Sequence, residues 1–490
     1  MHISRFVSLL RIKNRYALSH SLTVEQVFGG KKLKKFYQNF GKRNFNREEF
    51  ENFFLDTKLF DKLVKAKILI RDEKDDDKLL ERIYQNNPSL NNKQNRYSLL
   101  RILLTDICNL NCAYCKVERN IKQKIKRSTP RKKLAYVIKI LAESKTRNPK
   151  IIHITGGEPT IFPPEIKFIV DTVRKYDPEK KINLIIGTNA TLMTGKIADY
   201  IAANKMKIIV SLDGPERINN ILRVDHSGKG SYQRVIAGLN IIRKRKIEYG
   251  LSMVIGGHNI KKLQSTINWI VDNFLPSSLG VNFMKPPTPG QTDFCYLIPP
   301  KIYAKKIYNV FQKIRNRNVY LELVMRKIEP FVYQKFKYYD CGASAGTTIN
   351  VDAKGNIGPC KSFLIMEKDF SGTTKQTDYL EILNRWRKRS PVFKSECQNC
   401  PMIGICGNGC AYESFVYNKN YDELDPQSCA YVKDFFHLMI ADLDSIYRKK
   451  YHIDEEVVFI PSKKDRLLIL GKSRRRQNTL KWSIGHATTN

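Results

Sequence analysis

The segment Cys108-Asn109-Leu110-Asn111-Cys112-Ala113-Tyr114-Cys115 brings three cysteines together with the spacing C-x3-C-x2-C. Three thiolates at this spacing can bind three irons of a [4Fe–4S] cube and leave the fourth iron without a protein ligand. An iron with an open position can bind and reduce a small molecule. The alternatives are three unconnected thiols or a zinc site, but zinc prefers four ligands and this motif offers three. The spacing therefore favours an iron–sulfur cluster.

The motif resembles the signature of the radical S-adenosylmethionine (SAM) enzymes. In that family the open iron chelates SAM, and electron transfer breaks a C–S bond to give a 5′-deoxyadenosyl radical. The resemblance implies that Cys108, Cys112 and Cys115 are the catalytic cluster ligands. It also implies that Tyr114 lies near the adenine of SAM.

The composition is that of a globular chain without a membrane span. The chain has 490 residues, of which 42% are hydrophobic, and this is enough to bury a large core in two or three domains. No apolar run approaches the ~20 residues that cross a bilayer, and the N-terminus lacks a signal-peptide pattern. We therefore expect a cytoplasmic protein whose eleven cysteines bind metal rather than form disulfides.

The net charge of +39 is extreme and is spread along the chain. One explanation is an acidic partner, either a nucleic acid or an acidic peptide. The other is the Lys-, Asn- and Ile-rich composition of an AT-rich genome, with charge that offsets anionic clusters. The even spread favours the second explanation, and we expect neither a membrane nor a nucleic-acid partner.

The first 70 residues predict a small α+β module. Apolar residues at helical spacing over 46–56, with Asn46 as N-cap, predict a helix, and a second helical face follows at Phe60–Val64. A short strand is expected over 66–70, so the module resembles a winged helix. The polar stretch 71–97 predicts a linker with one helical stretch near 79–84.

From residue 100 onward, short apolar runs alternate with amphipathic stretches. This pattern predicts six strand–helix units and a parallel sheet with right-handed crossovers. The expected strands are 102–105, 151–155, 182–186, 208–212, 251–255 and 281–284, and the expected helices are 132–144, 165–176, 194–205, 232–245, 261–273 and 301–316. Six units fall short of a full (β/α)8 barrel, and a partial (β/α)6 barrel is the core fold of the family that the cysteine motif resembles.

Short motifs follow the second, third and fourth predicted strands, at the mouth where such barrels bind substrates. The resemblance implies that the Gly-Gly-Glu-Pro turn binds the amino group of SAM, that Ser211 lies near its ribose, and that Arg223 reaches its carboxylate. Asn189 and Asp213 lie in neighbouring turns, although such sequences also occur in ordinary turns. The expected SAM-binding residues are Tyr114, Gly156, Gly157, Glu158, Pro159, Asn189, Ser211, Asp213 and Arg223.

Seven further cysteines follow between residues 341 and 429 in the pattern of the SPASM domains, which hold auxiliary [4Fe–4S] clusters. The resemblance implies one cluster on Cys397, Cys400, Cys406 and Cys429, and a second on Cys341, Cys360 and Cys410. The second cluster then has three assigned ligands, and its fourth position is open, water or another side chain. The eleventh cysteine, Cys295, is expected to be a core or loop thiol.

The fold class predicted is therefore α/β, a partial radical SAM barrel with an N-terminal winged-helix-like module and a cysteine-rich SPASM domain. The predicted domains are a peptide-recognition module (1–70), a linker (71–97), the barrel (98–320), the SPASM domain (321–447) and a basic C-terminal extension (448–490).

The predicted activity is maturation of a ribosomally made (RiPP) precursor peptide by hydrogen abstraction that leads to a crosslink or another oxidative change. The N-terminal module would capture the leader by adding a strand to its sheet, and a flavodoxin or ferredoxin would donate electrons. Two alternatives stay open, a sulfatase-maturase-like formylglycine-forming enzyme and an RNA-modifying or RNA-binding protein. Sulfatase maturases carry an aspartate base where this chain has Lys361, and a protonated lysine is a poor base unless desolvated.

Overall fold

The computed structural model describes residues 1–87, 96–120, 128–368 and 376–475. The end of the predicted linker (88–95) and the end of the basic tail (476–490) lie outside the described residues. In the described part, no helix is both long and apolar enough to cross a membrane.

The N-terminal part begins with a three-stranded antiparallel meander, which the sequence reasoning missed, and continues with three helices. Its elements are β1 (His2–Ile3), β2 (Val7–Ile12), β3 (Arg15–His20), β4 (Glu25–Gly29), α1 (Lys31–Phe40), α2 (Arg47–Phe54), α3 (Thr57–Lys65), β5 (Leu69–Ile70) and α4 (Glu73–Gln85). The sheet order is β2-β3-β4, and β1 pairs with β5. The expected N-cap is present, because Asn46 forms a capping box with Glu49 at the start of α2.

A large parallel sheet forms the centre of the molecule. Its elements are β6 (Leu99–Leu103), α5 (Lys116–Asn120), α6 (Arg131–Glu143), β7 (Ile151–Thr155), α7 (Pro163–Tyr176), β8 (Asn183–Thr188), α8 (Gly195–Ala203), β9 (Lys207–Ser211), α9 (Glu216–Leu222), α10 (Tyr232–Lys244), β10 (Tyr249–Ile255), α11 (Leu263–Phe274), β11 (Ser278–Phe283), α12 (Pro300–Ile314), β12 (Tyr320–Leu321) and α13 (Glu322–Tyr333). Each of the six predicted strands and six predicted helices of this region is present to within a few residues.

The cysteine-rich region is mostly helical, and it extends the sheet. Its elements are α14 (Gly342–Ala345), β13 (Thr348–Val351), β14 (Ile357–Gly358), α15 (Lys361–Ile365), α16 (Gln376–Arg387), α17 (Ser395–Gln398), α18 (Ile403–Cys406), α19 (Ala411–Asn418), α20 (Pro426–Tyr451) and α21 (Lys463–Arg466). β13 adds in parallel to β6, so the nine-stranded sheet has the order β12-β11-β10-β9-β8-β7-β6-β13-β14. The barrel is therefore partial, with β12 and β14 as its edges.

The sheet separates two apolar regions. Outward-facing side chains of the strands pack against the surrounding helices in one large core, which includes Ile152, Ile154 and Val210. On the inner face, a small cluster of Leu99, Ile151 and Ile185 closes the N-terminal end of the lumen. The carboxyl ends of the strands stay open, and the loops that follow them form the site described next.

The chain after α20 returns to the N-terminal sheet. Phe459 forms an antiparallel bridge with Phe28 of β4, with two backbone hydrogen bonds of 2.9 Å each, and the two rings stack. Arg15 of β3 forms a buried ion pair with Asp444 of α20 at 3.1 Å. The outer edge of β4 is thus covered by the chain itself.

Candidate active site

The three-cysteine loop follows β6 and is fixed by hydrogen bonds to the segment after α9. The backbone N–H of Asn111 donates to the carbonyl of Val224 at 2.8 Å, and that of Ala113 donates to Leu222 at 3.1 Å. Because these contacts join the loop after the first barrel strand to the end of α9, the cysteines are held across the mouth of the barrel.

The thiols of the loop lie near one another in a desolvated setting. Burial raises the pKa of Cys108 to about 12 and that of Cys112 to about 11, and the neighbouring thiols add to both shifts. Such thiols stay protonated unless a bound cation displaces their protons, as a metal does. In the described part of the chain, no three His, Cys, Asp or Glu side chains converge closely enough for a single metal ion. Three cysteines on one loop are the ligand set that a [4Fe–4S] cluster with one open iron would take.

Two glycines bring the loop after β7 against the cysteine loop. A Cβ on Gly157 would lie 2.0 Å from the carbonyl oxygen of Ile107, and one on Gly156 would lie 2.6 Å from that of Thr105. Gly156 also has a φ of +132°, which side-chain-bearing residues rarely adopt. The N–H of Gly157 donates to the carbonyl of Thr105 at 2.7 Å. The glycines therefore serve the contact between these two loops.

The carboxylate of Glu158 joins two strand ends. It is 1% exposed and accepts four hydrogen bonds, from the N–H and hydroxyl of Thr160 and from Thr188 and the N–H of Asn189. Its oxygens are thus engaged with protein donors. Glu158 holds the loop after β8 in place, and Pro159 starts the following 3-10 turn.

Asn189 connects this carboxylate to the cysteine loop. Its amide nitrogen donates to Asn109 at 2.9 Å and approaches the sulfur of Cys108 at 3.8 Å. Hydrogen bonds to ligand sulfurs influence the potential of an iron–sulfur cluster. The sequence analysis named Asn189 and missed Asn109, although Asn109 lies directly between the cysteines.

Asp213 organises the other side of the mouth. It is fully buried and accepts hydrogen bonds from the hydroxyl of Tyr114 at 2.6 Å, from Nε of Arg223 at 3.0 Å and from the N–H of Val254 at 2.9 Å. The Arg223 guanidinium also lies over the Tyr114 ring. The structure thus brings Tyr114, Asp213 and Arg223 into one network beside Cys112, whose charge contributes to the raised pKa of Arg223. Ser211 ends the neighbouring strand β9.

Four of the C-terminal cysteines form one group. Burial raises the pKa of Cys397 to about 12, and the nearby thiols of Cys406, Cys400 and Cys429 add to the shift. The pKa of Cys429 rises to about 12 for the same reasons. These are the four cysteines that the SPASM pattern assigned to one cluster.

The remaining three form a second group with a shared local geometry. Cys341, Cys360 and Cys410 are the N-cap residues of α14, α15 and α19. Burial raises the pKa of Cys360, and the thiols of Cys410 and Cys341 raise it further. Backbone N–H groups at helix N-termini favour thiolate ligands, so this set also fits a cluster. Cys295 is exposed and lies apart in the loop before α12.

Lys361 follows Cys360 at the start of α15. Protein atoms surround this side chain, but it remains accessible to solvent. Burial lowers its pKa to about 8. The sequence argument treated this lysine as a poor base unless desolvated, and a lowered pKa makes it a better base than an ordinary lysine. The presence of lysine here is therefore a weaker argument against sulfatase-maturase chemistry than the sequence suggested.

Residues 102–270 match the family model described as the Radical SAM superfamily. The chain therefore contains a radical SAM domain and is a radical SAM enzyme, and its cysteine-rich C-terminal region fits iron–sulfur binding. This agrees with the fold expected from the cysteine motif.

Its relatives include maturases. The chain is 23% identical to a cysteine-type anaerobic sulfatase-maturating enzyme of Clostridium perfringens, over 67% of this chain and 92% of the relative. It is 24% identical to the radical SAM cyclopropyl synthase TigE of Paramaledivibacter caminithermalis, over 73% of this chain and 76% of the relative.

Two solved structures share the fold. Native anSMEcpe with bound AdoMet superposes with a TM-score of 0.61 at 20% identity, covering 73% of this chain and 100% of that one. Streptococcus suis SuiB bound to precursor peptide SuiA superposes with a TM-score of 0.52 at 16% identity, covering 87% of this chain and 99% of that one.

Proposed function

We propose that this enzyme is a peptide maturase that binds SAM at the barrel mouth and abstracts hydrogen from a peptide in the lumen. Cys108, Cys112 and Cys115 hold the SAM-binding [4Fe–4S] cluster, and the other two cysteine groups hold two auxiliary clusters. When bound, the first cluster supplies the electron that cleaves SAM to a 5′-deoxyadenosyl radical. The protein positions SAM and the target atom.

One contact carries the proposal. Lys116, which follows Cys115, donates a hydrogen bond of 3.2 Å to Ser362, which lies two residues after Cys360. The SAM-cleaving site and the three-cysteine group therefore face the same space. A substrate residue in that space would be within reach of both, as an oxidative modification requires.

The residues at the mouth of the barrel bind different parts of SAM or position the residues that do. Arg223 supplies a charged donor for the carboxylate of SAM, and Tyr114 supplies a ring for its adenine. Asp213 holds both side chains in position, and Ser211 lies at the strand end expected near the ribose. Gly156, Gly157 and Pro159 shape the turn toward the amino group, with Glu158 and Asn189 fixing that turn to the cysteine loop.

The partner is a ribosomal precursor peptide, which is supported by the SuiB complex with its precursor peptide. The N-terminal module is the proposed leader site. Strand addition needs an available edge, and Phe459 already bridges β4. A leader that adds at β4 must therefore displace the segment around Phe459. Deleting residues 1–70 would also leave Asp444 without Arg15, so point variants test leader capture better than truncation.

The test compares two cysteine variants of the anaerobically reconstituted full chain. With SAM and a chemical reductant, Cys112→Ala should form no 5′-deoxyadenosine above background, whereas the matched control Cys295→Ala should cleave SAM at the wild-type rate. Substantial 5′-deoxyadenosine from Cys112→Ala would refute the assignment of the cluster.

The substrate is identified by anaerobic pull-down from the native host, followed by mass spectrometry and turnover of the captured molecule. A short peptide that gains a crosslink supports the proposal. A sulfatase that acquires formylglycine would instead establish the maturase activity of the Clostridium perfringens relative. A stoichiometric, salt-sensitive RNA complex would revive the RNA alternative.

A further inference from the structure

Polar side chains line the lumen of the barrel directly above the apolar cluster of Leu99, Ile151 and Ile185. Side chains on the same face of a strand recur every second residue, so Arg101 lies above Leu99 and His153 above Ile151. Arg101 is in register with His153 on one side and with Asn350 of β13 on the other. Its Nη1 donates to the amide oxygen of Asn350 at 3.0 Å. A polar layer thus replaces the apolar one toward the site mouth.

His153 is the least expected member of this layer. It is 9% exposed, and neither ring nitrogen has a hydrogen-bond partner among the described residues. A Cβ on Gly187 of the adjacent strand would lie 2.8 Å from Nε2, so the glycine leaves room for the ring. Because a buried polar group without a hydrogen bond is costly, the ring is suited to a polar ligand in the lumen.

Lys361 faces the same space from the opposite, C-terminal region. No hydrogen bond or ion pair joins it to the part of the chain that the structure describes. Burial lowers the pKa of the His153 ring, the charge of Arg101 lowers it further, and the charge of Lys361 makes a smaller contribution, so Lys361 lies near that ring. Its side chain is accessible to solvent, so a ligand of opposite charge that enters the lumen can reach it and pair with it.

Several charged side chains surround the lumen. Four cations, Arg101, Lys116, Lys285 and Lys361, influence one another through the lumen. Carboxylates accompany them: Glu413 binds Lys285 at 2.9 Å with Asp425 nearby, and Glu322 lies near Arg326 and Arg101. In contrast to Lys285, Lys361 has no carboxylate bound to it among the described residues.

We propose that the lumen binds a carboxylate of the substrate peptide, with Lys361 and Arg101 as its charged partners and His153 as an additional hydrogen-bonding group. The guanidinium fork of arginine matches a carboxylate in shape and charge. This inference rests on the proposed peptide maturase and names the chemistry of the residue that it modifies. The carboxylate, from a side chain or from the C-terminus, would thus be anchored below the reacting carbon.

The test measures binding, without turnover, of three capped tripeptides to the SAM-loaded holoenzyme by anaerobic equilibrium dialysis. The probes are acetyl-Ala-Glu-Ala-amide, its neutral isostere acetyl-Ala-Gln-Ala-amide, and acetyl-Ala-Gln-Ala with a free C-terminus. We expect at least one acidic probe to bind about tenfold more tightly than the neutral one. Preference for the Glu probe identifies a side-chain carboxylate, and preference for the free acid identifies the peptide C-terminus.

Variants connect the preference to the lumen. Lys361→Gln should lower the preference for the acidic probe about tenfold. Lys361→Arg should retain this preference, which shows that substitution at this position leaves the site folded. Lys139→Gln, an exposed lysine on α6, is the matched control and should leave it unchanged. Equal binding of all three probes, or an undiminished preference in Lys361→Gln, overturns the inference. So does a change in Lys361→Gln confined to the redox potential of the auxiliary clusters, since the lysine would then only balance their charge.

The two proposals fail separately. If the wild-type holoenzyme does not cleave SAM, the proposed function is wrong, yet dialysis still reports the carboxylate preference. If SAM cleavage is intact and the acidic probes show no preference, only the carboxylate site is wrong.

Discussion

Replacing Asp213 by asparagine tests whether one buried carboxylate organises the SAM-binding side of the mouth. The substitution keeps the shape of the side chain and removes its charge. An asparagine oxygen can still accept from the N–H of Val254 at the present 2.9 Å. Its NH2 group then replaces the oxygen that now accepts from Tyr114 and Arg223.

The two donors respond differently. The Tyr114 hydroxyl can turn and accept a hydrogen bond from the new NH2 group, but Nε of Arg223 meets another donor and loses its counterion. The Arg223 side chain is 8% exposed, so water cannot replace the lost partner fully. Breaking a buried pair by removing one partner costs about 3–5 kcal/mol, and we expect a loss of unfolding free energy in that range.

The assay is urea unfolding of the anaerobically reconstituted holoenzyme, followed by circular dichroism. Asp199→Asn is the matched control, because Asp199 pairs with Arg245 through an aspartate side chain that is 66% exposed, and exposed pairs contribute about 0–1 kcal/mol. SAM affinity should also fall about tenfold, or about 1.4 kcal/mol, since Tyr114 and Arg223 lose their common anchor. Equal unfolding curves for the two variants would refute the reasoning.

Three further predictions concern buried polar groups, each measured by urea unfolding. Burial lowers the pKa of His20 to about 4. As the pH falls, the unfolded state therefore binds a proton at a higher pH than the folded state does, and the free energy of unfolding should fall by about 3 kcal/mol between pH 6.5 and 4. His20→Gln should abolish that pH dependence. Arg15→Met leaves Asp444 buried without its partner and should cost about 3–5 kcal/mol, against at most about 1 kcal/mol for the exposed Arg5→Met. The glutamine of Glu158→Gln cannot accept four hydrogen bonds, and this variant should lose about 2–3 kcal/mol of unfolding free energy. A wild-type unfolding midpoint in any of these variants would contradict the contact that it removes.

The barrel strands could be predicted because each is a short apolar run between amphipathic helices, and that pattern is local. Strand β7, Ile151–Thr155, has the bounds that the sequence predicts. The N-terminal meander could not be predicted in the same way. Strands such as Arg15–His20 mix polar and apolar residues, because parts of both faces pack on other elements. β13 also gave no local signal that it would pair with β6.

The sequence could predict which residues gather at the mouth of the barrel, but it could not predict the hydrogen-bond partners of each one. The sequence named Glu158 as a SAM contact, whereas the structure shows its oxygens engaged by Thr160, Thr188 and Asn189. It named Asp213 as one expected SAM-binding residue among nine, and the structure places it at the centre of a hydrogen-bond network. A motif identifies which residues gather at a site, and only the hydrogen-bond partners distinguish the groups that touch a ligand from those that position them.

The charged side chains around the lumen show why sequence motifs do not predict the substrate. Arg101 comes from β6, Lys116 from α5, Lys285 from the loop after β11, and Lys361 from α15. The sequence singles out Lys361 alone, as the replacement of an aspartate base, and the other three are among 86 lysines and arginines in a very basic chain. They come together only in the fold, where four distant segments turn them toward one space near Glu322, Glu413 and Asp425. The motifs therefore identify the radical SAM domain, while in the proposed function residues beyond the cysteine and glycine motifs would select the substrate.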